Sequence, residues 1–152
     1  MGAWLKQGDA RIRGTEALPF WSLVTIQIFN LLYREILAMA KIYHNPRCGH
    51  SRTTLELLQQ AGLEVEVIEY LQHPLTKAEL EVLIPQTGLS VREVLRTHES
   101  LYTELGLDDE RLSDDALLEA MAENPVLMNR PIAITEKGVR LCRPAAIVEE
   151  IL

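Results

Sequence analysis

Cys48 stands in the run His44-Asn45-Pro46-Arg47-Cys48-Gly49-His50-Ser51-Arg52, with two arginines and two histidines within four residues of one thiol. The thiolate is the nucleophilic form of cysteine. A neighbouring cation or a helix N-terminus lowers the thiol pKa below its free value of about 8.5. Arg47, Arg52 and the protonatable His44 and His50 all push in that direction, so the pattern points to a reactive thiolate. The spacing also excludes chemistries. Ser51 occupies the place where a dithiol oxidoreductase carries its second cysteine, so the thiol has no local resolving partner and needs one from another molecule. A phosphatase built on a phosphate-binding loop has arginine six residues after the cysteine, and that residue here is Thr54. A zinc site from His44, Cys48 and His50 lacks a fourth ligand and the usual paired spacing, so no metal is expected.

The other cysteine, Cys142, lies in Arg140-Leu141-Cys142-Arg143-Pro144 and reads as a small apolar residue beside a strand end. Three arginines sit at junctions between elements. Arg96 ends the helix begun at Ser90, Arg130 lies in Leu127-Met128-Asn129-Arg130-Pro131-Ile132, and Arg143 follows a hairpin. Taken singly, such arginines are ordinary surface charges, as Arg92 and Arg111 are read to be on their helices.

The elements that must position these residues follow from pattern and caps. Lys41-Ile42-Tyr43 reads as a strand stopped by Asn45-Pro46. The apolar positions Leu55, Leu57, Leu58 and Ala61 make Ser51 to Ala61 a helix, with Gly62 as its C′ residue. Val65, Val67 and Ile68 form a second strand, and the crossover makes the two strands parallel. Thr76-Lys77-Ala78-Glu79 and Ser90-Val91-Arg92-Glu93 are capping boxes, and Ser113 caps a further helix stopped at Asn124-Pro125. Ile132-Ala133-Ile134 and Val139-Arg140-Leu141 flank a turn and read as a hairpin, after which Pro144 opens a last helix. The order is β-α-β, a helical insert, then β-β-α. That is an α/β chain of thioredoxin-like arrangement with a small mixed sheet, in which a proline placed like Pro131 is typically cis.

The chain has 152 residues, 47% hydrophobic and 24% charged, with a formal charge of −7, which suits one packed domain and argues against a nucleic-acid surface. Two cysteines cannot form a disulfide framework and fit a reducing, cytoplasmic compartment. The composition breaks near Met39. Both Trp and both Phe precede it, and Lys6, Arg11, Arg13 and Arg34 against Asp9, Glu16 and Glu35 leave residues 1–38 at +1 and the other 114 at −8. The apolar stretch from Phe20 to Tyr33 is too short and too interrupted for a membrane span, which takes about 20 residues. A signal peptide is tempting at Ala38-Met39-Ala40, but Arg34 and Glu35 sit just before that site. The favoured reading is that Met39 is the true start and residues 1–38 are an upstream extension outside a domain formed by 39–152; an appended amphipathic helix is the next reading.

Taken together, Tyr43-His44-Asn45-Pro46-Arg47-Cys48, Ser51-Arg52, the Ser90-to-Arg96 segment, Asn129-Arg130-Pro131-Ile132 and Arg140-Leu141-Cys142-Arg143-Pro144 resemble the glutaredoxin-coupled arsenate reductases of the ArsC family. The resemblance runs from Lys41 to Leu152. It implies a thioredoxin-like fold in which Cys48 attacks arsenate while Arg96, Arg130 and Arg143 hold its oxygens. It gives His44 a role supporting the thiolate, and leaves Ser51 able to hydrogen-bond the sulfur. Planar guanidinium forks suit a tetrahedral dianion and offset the repulsion when one anion attacks another.

The resemblance further implies no bound cofactor, glutathione as the second thiol, and glutaredoxin to clear the mixed disulfide. Gly49-His50 departs from the small polar or basic residues common after the family's cysteine. Two other readings belong to the same superfamily: a glutathione-dependent thiol oxidoreductase and an Spx-type regulator that binds RNA polymerase. Regulators of that type usually carry a Cys-x-x-Cys switch, which Ser51 breaks. A general thiol reductase needs no oxyanion site.

Overall fold

A computed structural model of the chain describes residues 39–152, together with Val24, Thr25, Gln27 and Ile28. Those four are helical and exposed and fall in a different compact unit from residues 39–152. The other expectations for residues 1–38 lie outside the described residues. No helix among the described residues is long and apolar enough to cross a membrane.

The first crossover forms as its sequence predicts. Strand β1 (Met39–His44) leads through a tight loop into helix α1 (Gly49–Gln60), and β2 (Glu64–Glu69) returns parallel to β1. Gly62 takes the left-handed conformation, φ 80°, that only glycine adopts without cost, and turns the chain after α1. The insert then begins. Helix α2 (Lys77–Gln86) and helix α3 (Val91–Val94) each start with a complete capping box, Thr76 with Glu79 and Ser90 with Glu93. Such a cap stabilises a helix start by about 1 kcal/mol. Helix α4 (Ser100–Glu104) and helix α5 (Asp114–Glu123) complete the insert, α5 capped by the Ser113 hydroxyl. A short 3-10 turn, Pro125–Leu127, leads to β3 (Ile132–Thr135) and β4 (Gly138–Leu141), the hairpin read from the sequence.

The sheet order is β2-β1-β3-β4, parallel between β1 and β2 and antiparallel elsewhere, which is the mixed sheet of the thioredoxin-like arrangement. Alternation along the strands builds two cores. Ala40, Ile42 and Ala133 face α1 and the terminal helix, with Leu58, Val148 and Ile151. Tyr43 and Ile132 face the insert, with Leu80, Leu117, Met121 and Met128.

Three local expectations need correction. Arg96 does not end a helix. Helix α3 stops at Val94, Leu95 turns to extended backbone and bridges Met128, and the Arg96 N–H donates to the Leu127 carbonyl at 2.7 Å. The last helix is a 3-10 helix over Ala145–Ile151, with Pro144 as its N-cap instead of in its first turn. Arg92 is not a solvated charge. Its guanidinium donates to the carbonyls of Leu107, Asp109 and Leu112, at 3.1, 2.6 and 3.3 Å, and ties the loop after α4 to α3. Arg111 is fully solvated but lies in a turn, paired with Asp109.

Candidate active site

Because β1 and β2 run parallel, their C-terminal ends share one edge of the sheet, with His44 opposite Glu69. The loop that carries Cys48 leaves from that edge. Its turn closes with the Cys48 N–H on the Asn45 carbonyl at 2.9 Å, while the Asn45 side-chain oxygen accepts from the Arg47 N–H at 2.9 Å. Cys48 is therefore the N-cap of α1, with extended backbone and its sulfur beside the unpaired N–H groups that begin a helix.

The electrostatics of the thiol follow from that placement. Burial pushes its pKa up, but the Ser51 backbone N–H, the charge and hydrogen bond of Arg130, and the His50 backbone N–H outweigh it, so the net shift is downward. The cation that acts is not one of those adjacent in sequence. Arg47 and Arg52 are exposed, and the Arg52 guanidinium is tied to the Pro46 carbonyl at 3.0 Å. His44 is buried at the end of β1, and its pKa is lowered by that burial foremost, so near neutral pH the ring is uncharged and lends the thiol no positive charge. The Ser51 hydroxyl is fully buried and accepts from the Asn45 N–H at 3.3 Å. The sulfur is served by the Ser51 backbone, and the side chain braces the loop.

Arg130 arrives from the other half of the chain, just before β3, with a cis bond to Pro131. It is 8% exposed, its Nε makes no hydrogen bond, and it forms no ion pair among the described residues. Arg96 is half-buried beside it. Its own burial first, then the Arg130 charge, with Arg143 adding to it, push the Arg96 guanidinium below its ordinary value, while Cys48 pulls the other way. Arg96 is held by Glu99 in an ion pair. Arg143 is exposed and, like Arg130, has no carboxylate partner among the described residues. Arg96, His98, Asn129 and Arg143 line a cavity of about 330 Å³. The structure thus brings Cys48, Arg96, Arg130 and Arg143 into one electrostatic cluster, with His44 and Ser51 buried at the two ends of the loop and Pro131 following Arg130 through the cis bond.

A match to known proteins extends this geometry. The profile of the ArsC family matches residues 43–151. The chain belongs to the ArsC family. Arsenate reductases of Rhizobium meliloti (strain 1021) and of Escherichia coli (strain K12) are each 50% identical to it over 111 residues, 73% of this chain and 79% of the relative. The solved structure of an arsenate reductase from Vibrio cholerae superposes with a TM-score of 0.72 at 48% identity, covering 75% of this chain and 98% of that one. The family match begins near the end of β1 and runs through the insert, β3 and β4.

Two residues near the thiol take no role from the sequence: Asn45, which stands in the motif only as part of a strand stop, and Tyr70, which stands in no motif. The Asn45 side chain shapes the thiol loop, and Tyr70, the first residue after β2, is 1% exposed, its pKa raised foremost by burial while the charges of Arg130 and Arg96 act against that. The only linear signal for Tyr70 is its position at the C-terminal end of a parallel strand, the edge where such sheets place their sites.

Proposed function

We propose that this chain is an arsenate reductase in which Cys48 is the nucleophile and Arg130, Arg96 and Arg143 hold the oxyanion. The observation that carries the reading is Arg130, a buried cation with no carboxylate partner among the described residues. A buried charge left alone is strongly unfavourable unless an anion arrives to pair it. The Cys48 thiolate meets part of that need, and a tetrahedral dianion in the fork of the guanidinium meets the rest. A general thiol reductase has no use for Arg130 and Arg143 unpaired. The names of the relatives fit the same chemistry.

Reduction of As(V) to As(III) takes two electrons. The Cys48 sulfur bonds arsenic and displaces one oxygen. A second thiol must then complete the reduction, and Cys142 is a poor candidate, since it is fully buried and its thiol pKa is pushed up to about 12 by that burial. Glutathione is the external thiol we infer. Its sulfur bonds to Cys48, the sulfur–arsenic bond breaks toward arsenic, and arsenite leaves. Glutaredoxin then frees Cys48 from the mixed disulfide. The reaction needs no bound cofactor and suits the reducing cytoplasm. We place all of it in residues 39–152, with 1–38 as an extension outside that domain.

Arsenate-dependent NADPH oxidation, coupled through glutathione, glutaredoxin and glutathione reductase, tests the reading. The wild type is expected to turn over and Cys48→Ser to be inactive. Turnover that survives Cys48→Ser, or a wild type that ignores arsenate, would sink it.

A further inference from the structure

The cavity that Arg96 and Arg143 line is larger than an oxyanion needs. Its volume of about 330 Å³ lies in the range of pockets that hold small organic molecules, about 300–1,000 Å³. Cys48 and Arg130 are not among its lining residues, so an anion held between those two occupies its margin at most. The rest of its wall comes from α3, from Thr97 and His98 in the segment after it, and from Asn129, the residue before Arg130.

The polar groups of that wall divide into committed and free. The Arg92 guanidinium is held by three loop carbonyls, and Arg96 is paired with Glu99. Glu93, the one carboxylate of the lining, accepts from the Ser90 N–H and hydroxyl at 2.8 and 2.7 Å within its capping box. The side chains of His98 and Arg143 are exposed and have neither hydrogen bond nor ion pair among the described residues. The Asn129 side-chain oxygen accepts from the Arg130 N–H at 3.1 Å, which leaves its NH2 free. The free groups are therefore donors: a guanidinium, an imidazole N–H and an amide. The imidazole offers that N–H whether or not it is charged. No free carboxylate of the lining is left to receive an ammonium.

We propose that this cavity is the subsite for the external thiol, and that His98 and Arg143 select a thiol carrying a lone carboxylate, as the glycine end of glutathione does. The inference rests on the arsenate reading above. A carboxylate with no ammonium beside it complements a wall of donors without a free acceptor. Free cysteine, whose carboxylate and ammonium share one carbon, fits worse, and 2-mercaptoethanol gives the donors no charge to bind. Arg143 serves both the oxyanion and the subsite, and a guanidinium has five N–H donors, enough for two anions. A thiol anchored there brings its sulfur to the margin where Cys48 has bonded arsenic. That sulfur bonds to the Cys48 sulfur, the sulfur–arsenic bond breaks, and its electron pair stays on arsenic, taking As(V) to As(III). The thiol proton passes to an oxygen of the departing arsenite, and the mixed disulfide remains.

A single turnover reads the subsite without glutaredoxin, because arsenite leaves as the mixed disulfide forms. Arsenite release from enzyme saturated with arsenate is followed against the concentration of glutathione or of its glycine-end ethyl ester, two thiols of like reactivity. The wild type should need about tenfold more ester than glutathione for half-saturation, the scale of one hydrogen bond to a charged group. In His98→Ala the glutathione value should rise about tenfold and the ester value by less than about twofold, so that the preference collapses. The dependence on arsenate should not move, and the exposed, unpaired side chain puts folding at no risk. Equal half-saturation of the wild type by the two thiols overturns the proposal. So does a His98→Ala variant that keeps the preference or weakens arsenate instead. A wild type that releases arsenite as readily with 2-mercaptoethanol as with glutathione removes this proposal and leaves the arsenate reading standing. One that releases none with any thiol removes both.

Discussion

Cys48 and Cys142 are both buried thiols, 9% and 0% exposed, and each lies just before a helical segment, yet their acidities diverge in opposite directions. Around Cys142 burial dominates. The thiol sits in the core with Ile42, Ala133 and Val148, its sulfur reaches the Arg140 carbonyl at 3.5 Å, and its pKa is raised to about 12. Around Cys48 burial acts the same way, but the N–H groups of Ser51 and His50 and the Arg130 guanidinium more than cancel it. Loss of water therefore does not make a cysteine inert. The outcome turns on whether donors and a cation are buried with it.

The strongest way to break this contrast is to take the cation away. Arg130→Met is expected to lower kcat/KM for arsenate by about 100-fold, near 2.7 kcal/mol, and to move the Cys48 iodoacetamide midpoint toward about 8.5. A midpoint that does not move would assign the whole shift to the backbone. Arg143→Lys keeps charge but loses the planar fork and should cost about tenfold in kcat/KM. Arg96→Lys should cost less, because Glu99 already occupies that guanidinium and arsenate must displace it. Equal effects from these substitutions and from Arg111→Lys would remove the oxyanion cradle altogether.

The contrast is sharpened from the other side by Cys142→Ala, which should keep arsenate activity within about twofold. Its effect belongs to alkaline stability. A thiol whose folded pKa lies above its unfolded value contributes stability that is complete below about 8.5 and is lost as pH rises toward about 12. Cys142→Ala should therefore flatten the loss of melting temperature above pH 9, and an unchanged alkaline slope would count against that burial.

Most of the architecture was legible because it is written in local chemistry. The boxes at Thr76–Glu79 and Ser90–Glu93, the Ser113 cap and Gly62 each act within four residues, so pattern alone locates them. Helix α4 was missed because it has no capping bond and buries no residue. The nucleophile was legible for a partly wrong reason. Arg47 and Arg52 adjoin Cys48 in sequence but face solvent, whereas Arg130 reaches it only through the pairing of β1 with β3. Arg92 misled in the same way. Its partners are carbonyls of a loop that no sequence interval connects to it, so Arg92→Met should lower the melting temperature where Arg111→Lys leaves it unchanged.

The cradle is assembled from four stretches of chain: the β1–α1 loop, the segment after α3, the residues before β3 and those after β4. Two of these are sewn together by the Leu95–Met128 bridge, with the Asn129 N–H on the Val94 carbonyl at 2.8 Å. An oxyanion bound among Cys48, Arg96, Arg130 and Arg143 is then a removable crosslink. At a hundredfold excess over its dissociation constant it adds about 2.7 kcal/mol to folding. That energy falls first on the seam between insert and sheet, so slowed amide exchange at Arg96 and Asn129 is how an occupied site announces itself.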